Sequence, residues 1–315
     1  MARAKSKHIA LQTRLESVFT TIMDEGVVPE PVDPSRLNRL RISSFPFCGR
    51  QWFLNLPAAT SKTRRSSAMA SFFTGIGTSV HTTMQTAIEN VVDELSAKHV
   101  WAIRDWVCRN EDCKCVHVYV PKPDKCKACG SKALKGIEHT VKHLNYVVGH
   151  IDETLGLLLN KAEVQITSDY KTTSASAIDS GRLPHAGNVA QIEAYAAIKH
   201  SQGNPVIGWC LIYICRDNPT KRKVVVHVFE EGEVEAILKR VAKYEVRYVK
   251  AREAYKHLDA EAAAKLTPDC KEGAYDSHCQ FARVCEGGRD AVKAKCKEVV
   301  VTLTKRKEKE RGKKV

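Results

Sequence analysis

The stretch Val147 to Ser176, VVGHIDETLGLLLNKAEVQITSDYKTTSAS, constrains this chain more than any other. It reads as an apolar strand carrying Asp152, a hairpin, and a second strand ending in Asp169-Tyr170-Lys171. Side chains alternate along a strand, so Asp169 and Lys171 share a face. A carboxylate and an ammonium then stand side by side, with a second carboxylate one strand away. Two convergent acids can hold a hard divalent cation, and the lysine can orient or deprotonate an attacking water. Acids and lysines are also common as turn residues and solvated strand ends, so the remaining segments have to decide.

The chain has 315 residues, 43% hydrophobic and 27% charged, which is the balance of a globular protein and not of a disordered one. That length suits one large domain or two modest ones. The net charge of +14 favours a polyanionic partner, nucleic acid or an acidic membrane surface. The most apolar run, VIGWCLIYIC from Val206 to Cys215, is too short to span a bilayer, so no membrane span is expected. The opening MARAKSKHIALQTR lacks an apolar signal region, which predicts a cytoplasmic, reducing setting.

In such a setting the 12 cysteines, unevenly spread, point to metal sites before disulfides. Cys108-x4-Cys113 and Cys126-x2-Cys129, the latter followed by Gly130, describe a zinc ribbon over residues 107–131. Cys115 or His117 could replace one of the first pair. So short an insert has little core of its own, and bound metal would supply its folding energy. A second group, Cys270, Cys279, Cys285 and Cys296, lies within 268–297. Cys210 and Cys215 fall in the apolar strand and read as core residues.

Along the chain, residues 1–40 form an amphipathic helix and a proline-rich linker. Cys48 sits in RISSFPFCGRQWFLNL, where Ser43 or Ser44 would cap a short helix. Helical spacing resumes at Phe72 and runs towards Trp106, taking in Gly77 and His81. A further helix, Asn188 to His200, carries Gln191 and Tyr195 at i, i+4 on one face. Strands follow at Val206–Cys215 and Lys223–Phe229, then a long helix from Glu233 to Lys265 ahead of Pro268. EVVVTLT reads as a last strand and 304–315 as a basic, disordered tail that adds weak phosphate contacts. The pattern is α/β, strands enclosed by helices.

Four motifs now stand in one order: GTSVH (Gly77–His81), GHID (Gly149–Asp152), DYKT (Asp169–Thr172) and QIEAY (Gln191–Tyr195). In that order they resemble the RecB-type branch of the PD-(D/E)XK nuclease superfamily, over 41–286 without the zinc insert. The resemblance implies a restriction-endonuclease-like core, a mixed central sheet flanked by helices, with an inserted zinc ribbon and a C-terminal iron–sulfur segment. It implies that His81, Asp152, Asp169 and the Tyr170 carbonyl bind Mg²⁺ or Mn²⁺, that Lys171 handles the attacking water, and that Gln191 and Tyr195 hold the DNA strand. Its iron–sulfur members, the CRISPR-associated exonucleases of the Cas-four type and the AddB nucleases, use one cysteine before the core and three after it. Cys48, Cys270, Cys279 and Cys285 would be those ligands here, with Cys296 the alternative to Cys270, and four thiolates suit a 4Fe–4S cluster.

The activity implied is that of a metal-dependent DNA exonuclease on ends or single strands, in recombination, repair or phage DNA processing. A structure-specific endonuclease and a non-catalytic DNA-binding scaffold are the alternatives. The sequence holds no GxxxxGK[ST] phosphate loop, so either a helicase or recombination partner opens duplex DNA or the chain acts on ends and gaps already open.

Overall fold

The computed structural model describes residues 37–59, 75–88, 99–159, 161–218, 220–266 and 281–311. The expected N-terminal helix and Cys270 and Cys279 lie outside them. The first elements are β1 (Leu40–Arg41) and a 3-10 turn (Ile42–Ser44), followed by helix α1 (Gly49–Ala59) and helix α2 (75–88). Strands β2 (Val100–Cys108), β3 (Val116–Pro121), β4 (Leu134–Ile137), β5 (His139–His143), β6 (Val147–Ile151), β7 (Glu153–Leu159) and β8 (Ala162–Thr173) come next. Then follow α3 (Ala175–Asp179), α4 (Ala186–Ser201), β9 (Val206–Cys215), β10 (Arg222–Val228), α5 (Glu233–Lys256), α6 (Ala260–Ala264), α7 (Ala282–Glu286) and α8 (Gly288–Arg311).

The architecture is mixed α/β. One seven-stranded sheet runs β10-β9-β8-β7-β2-β3, with β4 also on β2. Only β8 and β9 pair in parallel within it, and they do so through the α3–α4 crossover. A parallel pair needs such a crossover, and the helix then covers the sheet face beside it. A small second sheet has the order β1-β6-β5. Helix α4 lies against β8 and β9, and α5 lies against α4.

Periodicity explains how these elements are held. In α5 the buried residues Val234, Ile237, Val241, Tyr244, Tyr248 and Ala251 recur at steps of three and four, which makes one apolar stripe. The Tyr244 and Tyr248 rings meet Phe45 and Phe47 at centroid separations of 4.9 and 5.9 Å, so the segment ahead of α1 is pinned to α5. These residues join Ile192, Ile198, Trp209 and Leu211 in the main core. A second cluster packs Phe53 and Leu56 of α1 against Ala263 of α6 and Val292, Val299 and Leu303 of α8.

Several expectations are corrected. The apolar strand expected to carry Asp152 is instead two strands in two sheets, β6 and β7, and Asp152 sits at the bend between them. The helix expected from Phe72 towards Trp106 is helical at 75–88, but Val100–Cys108 is a strand whose residues Ala102 to Trp106 are all buried. The helix expected to reach Lys265 breaks after Lys256, where the Asp259 side chain accepts from the Glu261 and Ala262 amides and caps a new helix. EVVVTLT is helical, part of α8. Its β-branched run suggested a strand, yet Val292, Cys296, Val299 and Leu303 are buried at helical steps while Val301 is half exposed. The same helix takes in 305–311, so that part of the basic tail is ordered. Among the described residues, no helix is long and apolar enough to cross a membrane.

Candidate functional site

β8 is the centre of the site. It is paired on both sides, with Asp169 opposite Leu211 and Lys171 opposite Tyr213 on β9. The alternation puts Asp169 and Lys171 on one face, and their charged groups meet, Lys171 Nζ lying 2.6 Å from Asp169 Oδ2. Lys171 also donates to Gln191 Oε1 (3.2 Å), and Gln191 donates to Asp169 Oδ1 (3.5 Å), so α4 closes the group from above. Asp152, at the β6–β7 bend, accepts from the Tyr170 amide at 2.9 Å through Oδ2. That bond leaves Oδ1 to face His81 Nδ1, 3.4 Å away.

His81 projects from α2, and its Nε2 lies 2.8 Å from the Tyr170 carbonyl. A carbonyl can only accept, so Nε2 carries the hydrogen. The Tyr170 carbonyl, which the resemblance offers to a metal, is therefore engaged by His81 here. Tyr195 is fully buried. Its hydroxyl accepts from the His150 amide (3.3 Å), and its ring fills the space where a Gly149 side chain would go. It therefore packs against β6, which leads to Asp152.

One further residue comes into this cluster. Glu138, between β4 and β5, offers a carboxylate oxygen that lies with ligand atoms of His81 and Asp152 within 4.8 Å of one another. Gln85, one helical turn after His81, donates to Glu138 Oε1 at 3.4 Å. Nothing in GIEHT marks Glu138, because only the fold brings it to the site, whereas the His81–Gln85 spacing of i, i+4 was readable.

The charges of this group act on one another. Burial, then Asp152, push the Asp169 carboxyl up to about 7, with Lys171 opposing. The same two causes, burial and then Asp152, raise Glu138. The hydrogen bond to Asp152, which favours the protonated ring, raises His81 against its burial. Three carboxylates, one imidazole and one ammonium therefore concentrate negative charge at the end of β8. Oxygen and imidazole donors of this kind suit Mn²⁺, and the carboxylates suit Mg²⁺. A cavity of about 760 Å³, lined by Lys243, Arg247, Lys250 and Leu266 among others, shares no residue with this group.

The cysteine insert forms a second centre. Cys108 ends β2, and β3 and β4 both pair with β2, so the insert extends the main sheet. Cys108, Cys113, Cys126 and Cys129 converge within 4.8 Å and could hold a metal. Cys108 Sγ lies 3.6 Å from Cys129 Sγ, and Cys113 Sγ 3.7 Å from Cys126 Sγ. A tetrahedral ion with metal–sulfur bonds of about 2.3 Å sets its sulfurs about 3.8 Å apart, so the cage is nearly of the right size. The Cys129 amide is the main cause holding the Cys126 thiol down, at about 5, which favours a thiolate. Cys115 and His117 lie within reach of Cys126 as alternatives.

Of the cysteines that the resemblance offers to an iron–sulfur cluster, Cys48 and Cys285 are close enough to act on each other, although 237 positions separate them in sequence. The Gln51 amide donates to Cys48 Sγ (3.4 Å) and Arg50 to Cys285 Sγ (3.6 Å). Cys296 neighbours Cys285 but is sealed within the α1–α8 core, where burial pushes its thiol up to about 11.

No family model matches the chain, and no curated protein matches it. Among solved structures it is similar to that of SSO0001, with 14% sequence identity and a TM-score of 0.39 over 89% of this chain and 95% of that one.

Proposed function

We propose that the chain is a metal-dependent deoxyribonuclease of the PD-(D/E)XK type, hydrolysing phosphodiester bonds at DNA ends or in single strands. The observation that carries this reading is the meeting of His81, Asp152, Asp169, Lys171 and Gln191 from four separate elements at the end of β8. A core residue set has no need of two buried acids facing each other beside a lysine, since uncompensated buried charge is costly.

A bound Mg²⁺ or Mn²⁺ would supply Lewis acidity towards the phosphate and a water of lowered pKa. His81, Asp152 and Asp169 would hold that ion. Lys171, kept in position by Asp169 and Gln191, would orient the attacking water or stabilise charge growing on the phosphate. Tyr195 and Gly149 would keep β6, and with it Asp152, in register. The net charge of +14 supports a polyanionic substrate.

The four-cysteine insert is assigned zinc in a structural role, because it has little apolar core of its own. Cys48 and Cys285, with Cys270 and Cys279, are assigned the iron–sulfur cluster, which would tie the two ends of the domain together. The test is incubation of anaerobically prepared protein with linear and with closed circular DNA in Mn²⁺ or Mg²⁺. Mononucleotides from linear DNA alone mark an exonuclease, and nicked circles an endonuclease. Absence of any cleavage in either metal would overturn the proposal.

A further inference from the structure

We propose that Glu138 is a further direct ligand of the divalent cation, beside His81 and Asp152. This rests on the nuclease reading of the site and adds to it a residue that the DYKT and GHID motifs do not contain.

The donor set is ready for a cation in three respects. First, the three ligand atoms lie within 4.8 Å of one another, although α2, the β4–β5 junction and the β6–β7 bend each supply one. Second, each group is already turned by an outer partner. The Tyr170 carbonyl takes the Nε2 hydrogen of His81, which leaves Nδ1 to face Asp152 Oδ1; the Tyr170 amide takes Asp152 Oδ2; and Gln85 takes Glu138 Oε1. Orienting bonds of this kind, a histidine donating its second ring N–H to a carbonyl above all, are what metal ligands need from their surroundings. Third, Asp169 is paired through Oδ2 with the Lys171 ammonium, whereas Glu138 is not so neutralised. It has no such ammonium partner among its described contacts, and its strongest charged neighbour is Asp152.

The fold also explains how Glu138 is held. It follows β4, the strand that returns from the four-cysteine insert, and precedes His139 of β5. His139 is anchored by Nδ1 to Asp105 Oδ1 at 2.8 Å, on β2, and its Nε2 lies 3.3 Å from Lys199 Nζ. The insert and the buried Asp105–His139–Lys199 group together fix the junction that carries Glu138.

The experiment is calorimetric titration of Mn²⁺ into the full chain, for wild type, Glu138→Gln, Glu138→Asp and a distant control, Glu231→Gln, with DNA cleavage measured in parallel. Loss of a ligand should weaken Mn²⁺ binding by at least about tenfold, the lower range seen even for outer partners. Glu138→Asp keeps the charge but withdraws the oxygen, and it should weaken binding as well. Glu231→Gln should not. Unchanged affinity in Glu138→Gln would overturn the proposal and leave the nuclease reading standing. So would wild-type affinity in Glu138→Asp, because Glu138 would then act only through its charge. A wild type that neither binds Mn²⁺ nor cuts would overturn the nuclease reading itself.

Discussion

Gly149 and Tyr195 form one packing unit beneath the site. A Cβ on Gly149 would overlap Tyr195 Cε1 and stand 2.7 Å from its hydroxyl oxygen. Tyr195 cannot yield easily, since it is buried and its hydroxyl takes the His150 amide. Gly149→Ala should therefore cost about 1–3 kcal/mol, the usual range for overpacking, read from urea unfolding. Because β6 leads directly to Asp152, the same variant should lose cleavage at temperatures where it remains folded. A second residue-scale prediction concerns pH. Burial holds the Lys199 ammonium down at about 8 from its ordinary 10.5, with Asp105 opposing. The folded chain gives up that proton first, so between about pH 8 and 10.5 the unfolded state binds more protons and stability rises with pH. Wild-type stability measured relative to Lys199→Met should climb across that window. A flat difference would mean that the ammonium is not buried.

Strand alternation made the pairing of Asp169 with Lys171 readable from DYKT alone, and helical spacing made Gln191 with Tyr195 readable. What sequence spacing cannot carry is the third dimension. Asp152 was expected within a single strand, but β6 and β7 belong to different sheets, and the bend between them turns its carboxylate towards His81. Glu138 was not readable at all, because its partners are 57 residues before it and 14 after it and no local period links them. EVVVTLT was misread because valine favours strands in isolation, whereas the apolar steps along the whole of α8 decide which way the segment packs. At this scale the cysteine insert is the element most open to test. Each chain should carry one zinc at Cys108, Cys113, Cys126 and Cys129, and Cys126→Ser should lose it, as measured by metal analysis. Since β4 leads from the insert to Glu138, that variant should also bind Mn²⁺ more weakly. Full Mn²⁺ affinity without zinc would uncouple the two centres.

Over the described residues, the fold brings the early helix α1 against the late helix α8. α1 and α8 share one apolar cluster, and Arg306 of α8 donates to the Pro57 carbonyl of α1. This contact sets Cys48 beside Cys285 and closes a long chain loop, whose closure entropy grows only slowly with length. Between these segments lie the sheet, α4 and α5, and the acids are set by it: Asp169 lies within β8, while Asp152 and Glu138 each occupy a one-residue junction between paired strands. That arrangement suits chemistry that depends on fixed positions of charge. The most direct measurement is digestion of end-labelled single- and double-stranded DNA in Mn²⁺, with EDTA as control, by wild type and Asp169→Ala side by side. Label lost in Mn²⁺, retained in EDTA, and retained by the variant is the predicted result. A variant that cuts as well as wild type, or DNA that is shifted by both proteins and cut by neither, would contradict it.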